Sequence, residues 1–391
     1  MSSLRFGAFM SPLHPVGEDP TLLLQRDLEL VQRLDELNYD EVWIGEHHSS
    51  GWGSISCPEV VLAAAAERTR RIRVATGVTA LPYHHPFMVA ERAVQLDHLT
   101  RGRFMLGVGA GSVIGDMHMM GVAPADTRRR TEQSLEVIVR LLRGHVVTHS
   151  TDWFALADGR LQLQPFTPGG FEIAVASAAS PFGMRLAGRL GVSALSHAAP
   201  PWGAMRAGHG IGVEKLAGQW QHLAEAADAA GHEASRSRWR LAVPVHVAHS
   251  RDEAIEQVYG GWLRQRVELW TETMGMPMGS GDAAARKAFE STVDAGGIIL
   301  GDVDDCVAGV QKLQEASGGF GTLLLSIQHW ARHEHTVESL DLFARHVAPR
   351  FTGSAEGLRA SQSWAAASKA IFQRENHEAR TQVSSGQETA R

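Results

Sequence analysis

Four short stretches of this chain put chemically capable side chains where an apolar, strand-like run ends. In EVWIGEHHSSGW (41–52) the run passes straight into Glu46, His47 and His48. Histidine changes charge near neutral pH, so one projecting into a cavity can act as acid, base or hydrogen-bond donor. Spacing alone leaves a second reading open, in which both histidines are simply satisfied polar residues at a strand end. A shared metal is disfavoured, because adjacent strand residues point to opposite faces and the first strand end, FGAFMSPLHP, offers no His-x-His.

The second stretch is ATGVTALPYHHP (75–86). Thr76 and Gly77 at a strand end let backbone approach a flat ligand, since glycine interposes no side chain. Tyr83, His84 and His85 follow in a loop that lines a pocket or merely turns before Pro86. The third, GVGAGS (107–112), has the spacing of a dinucleotide fingerprint, but no helix opens directly behind it. It reads as a glycine-rich strand end that permits close approach. In the fourth, ASAASPFGMRLAGRLG (176–191), Ser180 is expected to cap a helix whose first position is Pro181. With the amides that follow, Gly183 included, this is an anion cradle or a plain cap.

The elements around these stretches alternate. Strand patterns occur at 4–9, 39–46, 71–78, 103–109, 171–177, 192–197, 239–248 and 320–327, with helical patterns between most of them. Asp19-Pro20, for instance, opens the helix LLLQRDLELVQRLDEL with proline in its first turn. This order fits a (β/α)8 TIM barrel with insertions over residues 1–351, an open doubly wound sheet being the alternative. Residues 352–391 form a polar tail, read as one short helix near WAAASKAIF and a disordered end. In a barrel the site lies at the C-terminal strand ends. A phosphate cradle there, with glycine-opened strand ends, points to a phosphorylated planar cofactor across the mouth.

Composition narrows the partners. Charged residues are 20% of the 391, and the net charge of −6 carries no basic field, so a nucleic-acid binder is not expected. Arg128, Arg129 and Arg130 read as a solvated helix start. Two cysteines, Cys57 and Cys306, make neither a disulfide framework nor a thiolate metal site. No apolar run reaches membrane-spanning length and the N-terminus lacks a cleavable apolar segment. A cytoplasmic protein of a reducing compartment is expected.

The motifs resemble the bacterial luciferase-like family of flavin-dependent monooxygenases. FGAF, YDEVWIGEHH, TGVTALPYHHP, LDHLTRGRFMLGVGAG and VASAASP occur in family order. LHPVGEDP, WIGEHHSSGW and LPYHHPFMVAERAVQLDHLTRGR are similar to limonene monooxygenase-like members. The resemblance implies reduced FMN, supplied by an NAD(P)H-dependent flavin reductase, with FAD or a deazaflavin left open. It implies molecular oxygen, a flavin hydroperoxide, oxygenation of a small, mostly apolar organic substrate, and a homodimer. A deazaflavin-dependent dehydrogenase and a non-catalytic flavin-binding protein are the competing readings. His47 then matches the family's acid or base. Met10, Glu46, Thr76, Gly77, Val78, Gly109, Ala110, Ala179, Ser180 and Gly183 are expected at the cofactor, with a non-proline cis peptide at Gly77–Val78. His48, Trp52, Tyr83, His84 and His197 are expected at the substrate. Luciferase carries an arginine where this chain has Ala110, so another cation or the helix amides must hold the phosphate. Further walls are expected from 49–56, 196–202 and a Met- and Gly-rich loop at 274–282, read as a lid.

Overall fold

Eight parallel strands of mostly buried residues close on themselves in this computed structural model, which describes residues 4–178, 180–198, 213–276 and 281–388. They are Arg5–Met10, Glu41–Ile44, Arg73–Thr76, Phe104–Gly109, Glu172–Ser177, Ser193–His197, Trp239–Val243 and Thr322–Ile327. Each pairs with its neighbour in chain order, and the eighth pairs with the first, so the sheet has no free edge. Seven lie within the stretches expected from the sequence, and the first runs one residue further, to Met10. This is a (β/α)8 barrel.

The period of two sorts every strand into an outer and an inner row. Outer residues such as Phe6, Ala8, Val42, Ile44, Leu106 and Leu325 pack against the helices in the main core. Inner residues form tiers. The middle tier takes one side chain from each strand: Phe9, Trp43, Ala75, Met105, Ala174, Leu195, Ala242 and Leu324. Beneath it Arg240, fully buried, binds Glu41 Oε2 through Nε at 2.7 Å and Glu172 Oε1 through Nη1 at 2.8 Å. Thr322 donates to the other Glu41 oxygen at 3.1 Å. Burial alone would push the Glu172 carboxyl up, but the Arg240 charge and hydrogen bonds hold it far below the usual range.

Above the middle tier the inward positions of the same strands are small: Gly45, Gly77, Gly109 and Ala176. His197 is the large exception. Gly107 is required by packing, because a Cβ there would stand 2.5 Å from the Trp43 ring and 2.0 Å from the Thr76 carbonyl oxygen. The barrel is therefore plugged at its centre and open at the C-terminal mouth.

Several elements were not legible beforehand. WRLAVPVHVA divides at Pro244, which has no amide for the ladder; Val245–Val247 leaves the barrel to pair with Ile299–Gly301. A polar antiparallel hairpin, Val147–Ser150 with Ala155–Gly159, follows the helix Thr127–Leu142. The segment after the seventh strand holds a helix from Arg251 that widens into π-type turns over Gln265–Thr273, and a second helix at Asp282–Asp294. Where a short helix and a disordered end were expected, two helices run over Glu356–Ala367 and Lys369–Glu388. Among the described residues no helix is long and apolar enough to cross a membrane.

Replacing Arg240 with Met leaves the buried Glu41 without its counter-ion and leaves Glu172 with Arg73 alone. Breaking such a pair from one side costs about 3–5 kcal/mol. Urea denaturation of Arg240→Met is expected to show a loss of that size, and a loss under about 1 kcal/mol would mean that the carboxylates do not depend on it.

Candidate active site

The loop after the second strand lays Glu46–Ser49 across the mouth. His47 Nδ1 lies 3.0 Å from Asp116 Oδ2, and Asp116 Oδ1 accepts from the His48 amide at 3.1 Å and from Ser49 Oγ at 2.5 Å. Asp116 is buried on the short helix Ile114–Met119, just past the fourth strand. Burial works to raise its pKa, but the bonds from His47 and Ser49 bring it below the ordinary carboxylate value. An ionised Asp116 only accepts, so His47 carries its proton on Nδ1 and leaves Nε2 able to take another. The His47 side chain keeps 21% of its surface open.

His48 goes the other way. Its Nε2 and that of His84 both lie 2.8 Å from Glu46 Oε1, and Glu46 Oε2 accepts from the Ala80 amide at 3.1 Å. Glu46 thus ties the second strand's loop to the third's. The His48 ring meets the Tyr83 ring edge-on at 5.9 Å. Tyr83 Oη is buried without a hydrogen-bond partner, and burial holds the phenol well above its usual range.

At the third strand end the Gly77–Val78 peptide is cis, as expected. The Thr76 hydroxyl donates to the Gly107 carbonyl at 2.7 Å, so it stitches the third strand to the fourth. Gly109 lies against Val78, where a Cβ would come within 2.8 Å of Cγ2; Ala110 follows it, half-buried. His197 closes the sixth strand with its ring edge-on to Phe9 at 5.2 Å, and burial pushes its imidazole down to about 4, so it is neutral near pH 7. Trp52 is packed with Leu13 and Leu269 in a small apolar cluster that joins the insertion to the mouth loops.

Two expectations change. Met10 belongs to the outer row with the helix-facing core, so its side chain does not face the mouth. Ser180 is not the cap: the helix is Phe182–Leu190, with Pro181 already helical (φ −68, ψ −4) at the cap position and no side-chain cap bond. That leaves the first amides open, which suits an anion. Gly183 lets the helix start press on the strand end, since a Cβ would sit 2.4 Å from the Ala176 carbonyl oxygen. The expected solvated helix start is observed: the helix opens at Thr127 and Arg128 is exposed in its first turn. Arg128 lines a groove of about 710 Å³ together with Ser180, Pro181, Phe182 and Arg185, its guanidinium 6.0 Å from the Phe182 ring. Ala179, residues 199–202 and residues 277–280 of the lid lie outside the described residues.

The comparisons agree with this geometry. The model of the family described as luciferase-like monooxygenase matches residues 4–318. The chain belongs to the luciferase-like monooxygenase family. It is accordingly an enzyme of the monooxygenase class. It is 55% identical over 367 residues to 4-hydroxyprotoasukamycin monooxygenase of Streptomyces nodosus subsp. asukaensis, covering 94% of this chain and 97% of that one. It is 40% identical to limonene 1,2-monooxygenase of Rhodococcus erythropolis, over 89% of this chain and 87% of that one. Among solved structures, the oxygenating constituent of 3,6-diketocamphane monooxygenase from Pseudomonas putida, in complex with FMN, superposes with a TM-score of 0.72 at 25% identity. That match covers 89% of this chain and 99% of the other.

In this luciferase-like monooxygenase the residues fit a phosphorylated flavin. Open helix amides and Arg128 suit a phosphate, and small residues above a filled barrel suit a planar ring. Asp116 was missed from sequence because it sits in a stretch without strand or loop signature, GDMHMM.

The Glu46–His48 pair gives a pH signature. His48 is raised by its bond to Glu46, and Glu46 is lowered by His48 and His84 against the effect of burial. His48's share of stability is full below about pH 6.5 and fades as pH climbs through its raised pKa; Glu46's share is full above about pH 4.3 and fades as pH falls through its lowered one. The stability difference between wild type and His48→Gln is therefore expected to be largest between those values and to shrink at alkaline pH. A difference that stays constant from pH 5 to pH 9, roughly the range over which histidine titrates, would remove the ion pair from the account.

Proposed function

We propose that this enzyme uses reduced FMN and molecular oxygen to insert one oxygen atom into a small, mostly apolar organic substrate. An NAD(P)H-dependent flavin reductase would deliver the reduced flavin, and the enzyme would act as a cytoplasmic homodimer, as the family resemblance implies. The observation that carries the reading is the His47–Asp116 pair set over a floor of small residues. The names of the relatives, limonene 1,2-monooxygenase and 4-hydroxyprotoasukamycin monooxygenase, support a cyclic or extended apolar substrate.

Reduced flavin, when bound, supplies the activation of dioxygen. The chain supplies the rest. Arg128 and the first amides of Phe182–Leu190 would hold the phosphate by charge and helix-end polarity. Gly77, Gly109 and Ala176 leave room for the ring. Asp116 fixes the His47 tautomer, so that Nε2 gives or takes a proton at the mouth. Neutral His197 and Phe9 offer a weakly polar wall, and the Leu13–Trp52–Leu269 cluster keeps water from one side of the site.

The direct test supplies the enzyme with FMN, a flavin reductase, NADH, isotopically labelled dioxygen and a panel of cyclic terpenes and enones. Mass spectrometry is expected to find one labelled oxygen in at least one product. Unlabelled substrates throughout, with oxygen consumed no faster than by free reduced FMN, would sink the reading. His47→Ala is expected to lower product formation by about 10²–10⁴-fold. Its FMN affinity should stay within about tenfold, roughly 1.4 kcal/mol. Arg128→Ala should do the reverse, weakening FMN binding by about 1.5–3 kcal/mol, as for a lost hydrogen bond to a charged group.

A further inference from the structure

On the seam where the eighth strand meets the first, away from the His47 pair, three other side chains converge. His14 lies in the loop after the first strand, Asp27 on the helix Pro20–Glu36, and His329 just past the eighth strand. Their donor atoms all lie within 4.8 Å of one another. His14 and Asp27 are 2% and 1% exposed. His14 Nε2 stands 3.1 Å from Asp27 Oδ2 and 3.2 Å from Oδ1, and the His14 and His329 rings are 4.1 Å apart. Two atoms here, Asp27 Oδ2 and His329 Nε2, are buried without a hydrogen-bond partner. Such orphans are costly and call for an explanation.

The hydrogen bonding around His14 sharpens the question. Ser54 Oγ lies 2.6 Å from His14 Nδ1 and 3.2 Å from the Pro12 carbonyl oxygen. A carbonyl only accepts, so the Ser54 proton serves Pro12 and His14 Nδ1–H donates to Ser54. With that proton on Nδ1, His14 turns Nε2 toward a buried carboxylate, a contact that calls for a positive centre: a second ring proton or a metal ion. The unpartnered His329 Nε2 beside it favours the metal. Orientation of a ligating histidine through its other ring nitrogen is also how metal sites fix their geometry.

We propose that His14, Asp27 and His329 form a binding site for one zinc(II) ion or a similar divalent transition metal. Two imidazoles and a carboxylate are a zinc donor set, and the 3.1–3.2 Å separation of His14 from Asp27 approaches the roughly 3.3 Å edge of a tetrahedron with bonds of 2.0–2.1 Å. The ion clips the first βα unit to the last, where the barrel closes, and so acts on stability. Glu46, His48 and His84 also converge within 4.8 Å, but both imidazoles make 2.8 Å hydrogen bonds to one oxygen and no atom is orphaned. That cluster is complete without an ion.

The test uses the untagged full chain, stripped with a chelator and titrated with zinc(II), then with cobalt(II) as a spectroscopic probe. One zinc per chain by plasma mass spectrometry, a higher melting temperature with zinc, and the visible bands of four-coordinate cobalt are expected. Asp27→Asn and His329→Gln should abolish stoichiometric binding, Ser54→Ala should weaken it about 10–100-fold, and His84→Gln should leave it intact. Wild-type chain that takes up no stoichiometric ion and shows no cobalt bands overturns the proposal, whether or not any variant folds. So does binding lost in His84→Gln and kept in His329→Gln, which would place the ion beside His48.

Discussion

Trp43 sets the depth of this barrel. Its ring is buried at the centre, its Nε1 donates to Glu41 at 2.8 Å, and the Arg240 guanidinium lies 5.2 Å over its face. Glu41 and Arg240 are held in turn by Glu172 and Thr322, so residues from four strands fix one indole. A side chain that large leaves no room in the next tier, and Gly77 and Gly107 meet it with backbone alone. The floor of the mouth follows from that constraint. The mouth thus has a rigid, filled floor with small residues above it, a shape that suits the flat cofactor proposed above.

Strand geometry also explains why two adjacent histidines do different work. Neighbouring residues leaving a strand diverge, and each of these finds its own carboxylate: His47 meets Asp116, and His48 meets Glu46. The first pair has an accessible imidazole on a fixed tautomer, which is what proton transfer needs. The second is a closed ion pair with a further imidazole, His84, locking two loops together. One sequence triplet therefore carries both the proposed proton-transfer group and the frame that keeps it in place.

The eight strands were legible because parallel strands buried on both faces read as short apolar runs between turn signals. Val42-Trp43-Ile44 and Leu323-Leu324-Leu325 are plain examples. The strand-end motifs were legible too, and the cis Gly77–Val78 peptide stands where the resemblance put it. What escaped depended on three dimensions. Asp116 is tied to residues 67–69 positions away, and Arg128 and Ser180 line one groove between helices. Neither separation leaves a local trace. Met10 was misplaced because a strand-end residue was weighed without counting its parity. Ser180 was misplaced because Pro181 lies one position before the first helical residue.

The break at Pro244 separates two tasks within one chain. Once Val245–Val247 leaves the barrel and pairs with Ile299–Gly301, the segment between them stands on its own parallel ladder. It also has its own small core of Val258, Trp262, Ala285, Phe289 and Leu300. It meets the mouth loops through Leu269, Trp270 and Met274 around Leu13 and Trp52, through Arg264 at the Val16 carbonyl and through Gln265 at Trp330. Changes of length or shape inside that segment need not be transmitted to the eight strands. Descendants of one ancestral barrel can in this way be remodelled for new molecules through a semi-autonomous module, while the plug around Trp43 stays unaltered.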